Sequence, residues 1–257
     1  MALMQCFISS AVLGKGCNVN VIVPQHYEAN GTTPGKRREY KVLYLLHGLS
    51  DDYSSWLRRT SIERYLSKLD DVVTVMPDVD RSFYTDMKHG LKYWTFISEE
   101  LPGVIQQLFP VSSKAEDTCV AGFSMGGYGA LKLAMSHPER FAACGAMSSV
   151  TDIAAKFGDP RYAGWDFEDI FGSPEQLAAD GNDLFELLKK LPSAPKVPRF
   201  IQICGTEDYL WQDNLKLKDA FEASGIPGYI FESHPGIHSW DFWDQYIQTI
   251  LKFFFCQ

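Results

Sequence analysis

Two patterns of hydrophobic and polar positions follow one another along the chain. Near its start, residues 6–12 and 19–23 alternate apolar with polar side chains, and the turn residues Gly14-Lys15-Gly16 lie between them. Alternation with a period of two is typical of strands buried on one face, and a glycine-containing turn between two such strands indicates a hairpin. The sequence therefore predicts an antiparallel hairpin at the start of the chain.

From residue 42 onwards the pattern changes to short, continuous apolar runs separated by helix-sized stretches. Strands that are apolar throughout are typical of a parallel sheet covered by helices on both faces. The predicted strands are residues 42–46, 72–76, 118–121, 141–144, 200–204 and 228–232, and the predicted helices are residues 61–69, 96–109, 125–136, 210–223 and 240–254. This alternation predicts a doubly wound α/β domain whose ligands bind beyond the carboxyl ends of the strands.

Two stretches interrupt the alternation. Residues 28–38 are polar and contain two glycines and a proline, which predicts an exposed connection. Residues 151–198 contain five prolines, several aromatic residues and two short helix candidates, at 174–179 and 182–188. Because this second stretch falls between the sixth and seventh strands, we expect a lid-like insertion over the carboxyl edge of the sheet, within one domain that spans residues 1–257.

The composition narrows the class of partner. The chain has 257 residues, 46% of them hydrophobic and 14% aromatic, which is ample for one large core. Its 32 acidic side chains outnumber its 24 lysines and arginines, and the formal net charge is -8 with no block of basic residues. This charge disfavours nucleic acid and anionic membrane as partners, so a small neutral molecule is the expected substrate.

The start of the chain and its cysteines bear on location and metals. No positive charge precedes Lys15, and no apolar run has the length of a signal peptide or a bilayer span, so an intracellular, cytoplasmic protein is expected. The six cysteines are dispersed without the paired spacing of a zinc site. We therefore predict neither a metal site nor a disulfide framework, and the sequence leaves open whether the chain forms a homo-oligomer.

The sequence around Ser124 is the strongest chemical signal. An apolar strand runs into Gly122-Phe123-Ser124-Met125-Gly126, and a predicted helix follows directly. A serine on a sharp strand-to-helix turn is presented as a nucleophile, and small residues at positions 122 and 126 let the strand and the helix pass close together. Close helix packing alone would account for the glycines but not for the serine between them. We therefore predict that Ser124 is a nucleophile.

A nucleophilic serine needs a histidine base and an orienting acid, which in this fold follow in the order serine, acid, histidine. His234 and His238 both come after the last predicted strand, and His238 is favoured because it follows a glycine turn and precedes the terminal helix. Glu207 and Asp208 both follow the seventh strand, and Asp208 is favoured because it lies deeper in the loop, directly before two apolar residues. The predicted triad is Ser124, Asp208 and His238.

Two backbone amides are expected to bind the negative charge that develops on the substrate. Met125 begins the helix after the nucleophile, so its amide points along the helix dipole toward that charge. Gly48 lets the loop after the third strand fold tightly, which directs the amide of Leu49 into the site. We expect the adjacent His47 to hold this loop by hydrogen bonds rather than to act as the base.

Several aromatic residues fall near these loops, and ligand sites are commonly lined by such side chains. Trp56, Trp165 and Trp240 are the candidates for substrate contacts, with a place in the core as the alternative for each of them. The wider set of aromatic residues near the predicted site also includes Tyr53, Phe83, Tyr84 and Trp211.

Taken in order, several short motifs of the chain resemble those of the esterase D-like family of α/β-hydrolases. They are Leu45-Leu46-His47-Gly48-Leu49, Trp56, Pro77-Asp78, the Ser124 turn at 122–127, Cys204-Gly205-Thr206-Glu207-Asp208 and Pro235-Gly236-Ile237-His238-Ser239-Trp240. The match runs from about residue 10 to 250 and is strongest to bacterial tributyrin esterases. The resemblance implies an α/β-hydrolase fold, the same triad, no cofactor, and hydrolysis of short-chain acyl esters from acetyl to butyryl, including acetylated or feruloylated sugars.

The same family leaves alternatives for the reaction. It includes S-formylglutathione hydrolases, feruloyl esterases and mycolyltransferases, so a thioesterase and an acyltransferase are alternatives. The formylglutathione enzymes usually carry a Leu-Thr-Cys-Thr run after the oxyanion glycine, whereas this chain has Leu49-Ser50-Asp51-Asp52, which argues against thioester hydrolysis. A binding module that keeps the fold without the chemistry is an alternative of another class. Such proteins typically lack a triad member, whereas this chain has a candidate for each.

Overall fold

The structure is a computed structural model that describes residues 1–28, 31, 35 and 38–256. Eight of its segments are β-strands. Its strands are β1 (Ala2–Ser10), β2 (Lys15–Val23), β3 (Lys41–Leu46), β4 (Val72–Pro77), β5 (Thr118–Phe123), β6 (Ala143–Met147), β7 (Arg199–Gly205) and β8 (Tyr229–His234). They form one eight-stranded sheet in the order β1-β2-β4-β3-β5-β6-β7-β8. The pairs β1–β2 and β2–β4 are antiparallel, and the other pairs are parallel. The predicted sheet, mostly parallel with an N-terminal hairpin, is confirmed.

Helices cover both faces of this sheet. They are α1 (Ser55–Arg59), α2 (Ile62–Leu66), α3 (Tyr93–Thr95), α4 (Leu101–Leu108), α5 (Met125–Ser136), α6 (Phe167–Phe171), α7 (Pro174–Ala179), α8 (Leu184–Lys190), α9 (Trp211–Ser224) and α10 (Trp240–Phe255), with a π-helical segment (Phe96–Glu100) between α3 and α4. Successive strand residues point to opposite faces, so Leu43 and Leu45 share one core cluster with α10, whereas Val42 and Tyr44 share the other with α5. Burial on both faces explains why these strands are apolar throughout.

Some boundaries differ from the predicted ones. The helix predicted at 125–136 coincides with α5, but β6 begins and ends later than the predicted strand 141–144. In its register with β5, Met147 pairs with Phe123. The strand was predicted too short because Gly145 has no side chain and Ala146 has only a methyl group, so neither continues a clearly apolar run. Helix α1 was not predicted because five residues are too few to display a helical period.

The stretch 151–198 does lie between β6 and β7, and it is anchored in the core. Its three helices α6, α7 and α8 include the two short helices that the sequence predicted. Their apolar side chains, among them Ile170, Leu177 and Leu184, are buried against the cluster that contains α5. Only the segment around Gly164 and Trp165 lines the cleft described below. A lid-like role for this stretch stays a prediction.

Three further expectations concern single stretches or residue types. Most of the predicted connection at 28–38, namely residues 29, 30, 32–34, 36 and 37, lies outside the described residues. None of the helices in the described ranges combines the length and the apolarity needed to cross a bilayer. Within the same ranges, no three His, Cys, Asp or Glu side chains cluster as metal ligands, and the six cysteines are free thiols.

Candidate active site

Ser124 stands at the carboxyl edge of the sheet, between β5 and α5. Its backbone has φ 54° and ψ -120°, in a region that costs a non-glycine residue about 1–3 kcal/mol. Three backbone bonds hold this turn: Ser124 N–H donates to Met147 O at 2.9 Å, and the N–H groups of Tyr128 and Val150 donate to Ser124 O. The surrounding structure thus maintains a strained serine with its side chain at the edge of the sheet.

The glycines beside Ser124 allow a very close approach of backbones. A Cβ on Gly122 would lie 2.4 Å from Gly126 O. A Cβ on Gly126 would lie 2.5 Å from Leu46 O and 2.6 Å from His47 O. Since backbone atoms cannot move aside cheaply, both positions require glycine. The close approach brings the start of α5 against the loop that follows β3.

The side chains of Ser124, His238 and Asp208 form one continuous chain of hydrogen bonds. His238 Nε2 lies 3.1 Å from Ser124 Oγ, and its Nδ1 lies 2.9 Å from Asp208 Oδ2 and 3.1 Å from Oδ1. A carboxylate only accepts, so Nδ1 carries the proton and donates to Asp208, and Nε2 accepts from the Ser124 hydroxyl. The Asp208 side chain is fully buried, and Leu210 N–H donates to its Oδ1 at 2.8 Å. The structure brings the three predicted side chains together within reach for proton transfer.

Glu207, the alternative acid, is bonded to the opposite loop instead. Its backbone N–H donates to Gly236 O at 3.0 Å, and Gly236 N–H donates to its carboxylate. The hydrogen bond from Gly236 lowers the pKa of the Glu207 carboxyl. These two hydrogen bonds join the loop that carries Asp208 to the loop that carries His238.

His234, the alternative base, is engaged elsewhere. Its ring stacks on Tyr246 with the centroids 4.3 Å apart, and its Nε2 lies 3.2 Å from Glu232 Oε2. These are the contacts of a structural residue at the end of β8.

The loop after β3 is held by a hydrogen bond to each of three successive carbonyls. The indole of Trp56 donates to Leu46 O at 3.1 Å. The hydroxyl of Tyr84 donates to His47 O at 2.9 Å. The His47 ring itself uses Nδ1, which donates to Gly48 O at 2.8 Å. With three carbonyls fixed, the orientation of the next amide, that of Leu49, is fixed as well.

His47 holds this loop as a neutral ring. Its Nε2 accepts a hydrogen bond from Val79 N–H at 3.1 Å, which together with the bond from Nδ1 occupies both ring nitrogens. The side chain is buried, and burial lowers the pKa of His47. His47 therefore supports the loop that leads to Leu49 and has no ring nitrogen left to serve Ser124.

The two predicted oxyanion donors, the amides of Leu49 and Met125, belong respectively to a residue that lines the same cleft as Ser124 and to the residue that follows Ser124 in the chain. Among the residues that the structure describes, neither N–H donates a hydrogen bond. Met125 is the first residue of α5, so its amide is one of those that a helix leaves unsatisfied. Leu49 lines the same cleft as Ser124. Two unsatisfied amides beside a nucleophile are suited to a developing oxyanion.

A cleft of about 550 Å³ opens at Ser124. Its lining combines aromatic side chains with three charged ones: Phe123, Trp165, Tyr209, Trp240 and Trp243 with Asp51, Arg59 and Arg81. Trp165 and Trp240, two of the three predicted substrate contacts, line this cleft, and their contact with a substrate stays a prediction.

Trp56, the third predicted substrate contact, belongs to the core, and this placement corrects the prediction. Its side chain is 1% exposed, and its ring packs against Phe123 and Trp240 with centroids 5.3 and 5.4 Å apart. Its indole is occupied by Leu46 O. Trp56 therefore packs beneath Phe123 and Trp240, which themselves line the cleft. The cleft lining also lacks the other four aromatic residues that the sequence places near the site, which are Tyr53, Phe83, Tyr84 and Trp211.

Several residues of the cleft were not identified from the sequence, among them Tyr209, Trp243, Arg59 and Arg81. The rings of Tyr209 and Trp243 lie 4.6 and 4.8 Å from the His238 ring, centroid to centroid. Trp243 follows Trp240 by three residues on α10, a spacing that places both on one helix face. Arg59 and Arg81 follow the carboxyl ends of β3 and β4, and that position was the signal available for them.

Comparisons with known proteins identify the family. The Esterase family model matches residues 10–254. An acetyl esterase from Caldicellulosiruptor saccharolyticus is 31% identical over 98% of this chain and 97% of its own length. Two solved structures from Staphylococcus aureus, the fluorophosphonate-binding serine hydrolase FphF and the S-formylglutathione hydrolase FrmB, are each 33% identical, cover 98% of both chains, and have TM-scores of 0.89 and 0.86. The chain therefore belongs to the Esterase family, as its resemblance to the esterase D-like family predicted, and is a serine esterase with the α/β-hydrolase fold.

Proposed function

We propose that this protein is a carboxylesterase for short-chain acyl esters, from acetyl to butyryl, with Ser124, His238 and Asp208 as its triad and the amides of Leu49 and Met125 as its oxyanion hole. The observation that carries the proposal is the unbroken hydrogen-bonded chain from a buried carboxylate through the imidazole to a serine hydroxyl that opens into a cleft. The two unsatisfied amides beside that hydroxyl complete the set of groups that acyl transfer requires.

Acylation begins when His238 Nε2 takes the proton of the Ser124 hydroxyl while Oγ attacks the ester carbonyl carbon. The negative charge that moves to the carbonyl oxygen is stabilised by the amides of Leu49 and Met125, each worth about 3 kcal/mol of the barrier. When the tetrahedral intermediate collapses, the alcohol leaves with the proton held by His238, and the acyl group remains on Ser124.

Deacylation repeats these steps with water as the nucleophile. His238 takes a proton from the water while the water oxygen attacks the acyl carbon. When this tetrahedral intermediate collapses, the bond from the acyl carbon to Ser124 Oγ breaks, His238 returns the proton to Oγ, and the acid is released. Asp208 keeps the His238 proton on Nδ1 and stabilises the imidazolium that forms in both halves of the reaction. Its complete burial keeps this charge interaction strong, because water does not screen it.

The similarity to an acetyl esterase supports small acyl groups as substrates. The aromatic cleft walls formed by Trp165, Trp240 and Tyr209 suit a sugar ring or a feruloyl ring, because both have apolar faces that stack on aromatic side chains. Among neutral esters, acetylated or feruloylated sugars are therefore the ones that we expect to be turned over first in a substrate screen.

Thioester hydrolysis is the second candidate, since a solved S-formylglutathione hydrolase is 33% identical to this chain. The Leu49-Ser50-Asp51-Asp52 run, which lacks the usual cysteine of those enzymes, argues against it. Acyl transfer to an alcohol uses the same groups and differs only in how well the cleft excludes water. Hydrolysis of S-formylglutathione and product analysis with an added acceptor alcohol distinguish these activities from ester hydrolysis.

The test of the proposal is the hydrolysis of p-nitrophenyl esters from acetate to octanoate and of methyl ferulate by wild type and by Ser124→Ala. We expect Ser124→Ala to abolish turnover, and unchanged turnover would contradict the assignment. Ser55→Ala is a matched control, because Ser55 is also buried and its hydroxyl has no partner among the described residues. It should retain wild-type activity. Higher activity on octanoate than on acetate would contradict the short-chain specificity.

A further inference from the structure

The candidate cleft differs in charge from the chain as a whole. Its charged lining residues are Arg59, Arg81 and Asp51, two cations against one carboxylate, in a chain whose net charge is -8. The expectation of a neutral substrate rested on the net charge of the chain. A ligand in the cleft responds instead to the charges that line it, because water and salt screen the more distant ones.

Arg59 presents an unused guanidinium to the cleft. It is the last residue of α1, its side chain is exposed, and no ion pair or hydrogen bond joins that side chain to another residue in the described part of the chain. Its neighbour Arg58 is engaged instead, since its Nε donates to Ser54 Oγ at 2.8 Å and its Nη2 lies 3.7 Å from Asp52. All five N–H donors of Arg59 are therefore available to a ligand.

Arg81 presents a guanidinium that is already held in place. Its Nε and Nη2 donate to Asp166 Oδ2 at 3.2 and 3.1 Å, and Nη2 also donates to Gly164 O. Its Nη1 donates to no acceptor among the described residues. A side chain that is fixed before binding loses less entropy when a ligand binds, so Arg81 can contribute although Asp166 offsets part of its charge.

Asp51 supplies the one carboxylate of the cleft lining among the described residues, and it lies close to Gly48 in the loop after β3. A Cβ on Gly48 would be 3.3 Å from Asp51 Oδ2. Asp51 is half-buried, and it donates or accepts no hydrogen bond through its side chain within the described residues. Its negative charge weakens the attraction of the two arginines for an anion. Removing this charge should therefore strengthen the binding of an anion, which gives a second experimental test.

We propose that the cleft binds esters that carry a carboxylate or phosphate group besides the scissile ester, and that Arg59 and Arg81 bind this group. The inference rests on the proposed esterase function and names the class of its substrate. The planar guanidinium of Arg59, unused within the described residues, matches both kinds of anion with paired hydrogen bonds, which a neutral alcohol or amide does not accept equally well. Arg81, whose Nε and Nη2 are already bonded, contributes its charge and the N–H groups of Nη1.

The experiment compares 4-acetoxybenzoate, 4-acetoxyphenyl phosphate and the neutral 4-acetoxybenzamide, three acetyl esters that differ in the charge opposite the ester. For Arg59→Gln we expect kcat/KM to fall about fivefold on the anionic esters and by less than about twofold on the benzamide. The expected loss is modest because the ion pair between Arg59 and the anion is partly exposed to water. Arg59→Gln/Arg81→Gln should remove the preference for anionic esters. The change should lie in KM, and about 0.5 M salt should reduce it. The anionic ester with the greater loss identifies the group that the site prefers.

Two further variants sharpen the test. Arg58→Gln removes the same charge one residue away from the cleft, so it should leave both kinds of ester unaffected. Asp51→Asn should raise kcat/KM on the anionic esters relative to the benzamide. Equal losses on anionic and neutral esters in Arg59→Gln, or equal losses in Arg58→Gln and Arg59→Gln, would overturn the proposal. Failure of the esterase function is a separate outcome, in which Ser124→Ala hydrolyses all three esters as wild type does.

Discussion

Removing one hydroxyl group from the core should slow the reaction without altering the cleft. Tyr84 is fully buried, and its hydroxyl donates to His47 O at 2.9 Å. Tyr84→Phe deletes this donor and keeps the ring, which packs so closely on Gly129 that a Cβ there would lie 2.4 Å from it. The His47 carbonyl then loses its partner, and the amide of Leu49, two residues further on, loses one of the bonds that orient its loop.

The magnitude follows from the number of bonds that remain. A buried carbonyl without a partner costs about 1–3 kcal/mol of unfolding free energy. Complete loss of an oxyanion donor would raise the barrier by about 3 kcal/mol. Because Trp56 and His47 still hold the two neighbouring carbonyls, we expect between a third and a half of that loss. This corresponds to a decrease of kcat by about five- to twelvefold, with KM within about twofold of wild type.

The assay measures kcat and KM for p-nitrophenyl acetate and the free energy of unfolding in urea. Tyr44→Phe is the matched control, because Tyr44 is buried on β3 just before the same loop and its hydroxyl bonds to no described residue. This control should keep the wild-type kcat. A wild-type kcat for Tyr84→Phe, or an equal loss of activity in both variants, would contradict this role of the Tyr84 hydroxyl.

Three other changes test separate parts of the structure. Asp208→Asn should lower kcat by about 10⁴-fold with little change in fold, because the imidazole then takes the wrong tautomer; a loss below tenfold in steady-state kinetics would contradict this role. Gly126→Ala should lower kcat at least tenfold and reduce the melting temperature, since the new methyl group meets Leu46 O; wild-type values for both would argue against the close approach. Lys132 is fully buried among neutral hydrogen-bond acceptors, and burial lowers its pKa to about 7. Between pH 7 and 10 the unfolded chain therefore binds more protons than the folded chain, so the free energy of unfolding rises with pH in this window. In urea denaturation, the wild type should gain about 2 kcal/mol of unfolding free energy relative to Lys132→Met from pH 7 to 9. A difference between the two proteins that does not change with pH would contradict the burial of the Lys132 ammonium.

The parts of the site that the sequence predicted are those defined by local order along the chain. Ser124 is flanked by a strand and a helix that its immediate sequence predicts, and Asp208 and His238 follow predicted strands. In a parallel sheet the carboxyl ends of strands meet at one edge, so position after a strand was enough to place all three side chains near each other.

The parts that the sequence did not predict depend on the direction of a side chain in three dimensions. Trp56 belongs to a helix too short to show which face it buries, and packing turned its indole toward Leu46 O rather than into the cleft. The bond from Tyr84 to His47 O joins residues 37 positions apart, and no local pattern marks it. Arg59 and Arg81 resemble ordinary exposed arginines in the sequence, and only the folded chain places them in one cleft.

Covalent labelling with a fluorophosphonate, followed by mass spectrometry of the intact protein and of its peptides, tests directly whether Ser124 is the nucleophile. We expect one adduct per chain on Ser124 in the wild type, much slower labelling of His238→Ala, and no adduct on Ser124→Ala. An adduct on another residue, or a wild-type protein that hydrolyses esters without being labelled, would contradict the assignment of Ser124 as the nucleophile.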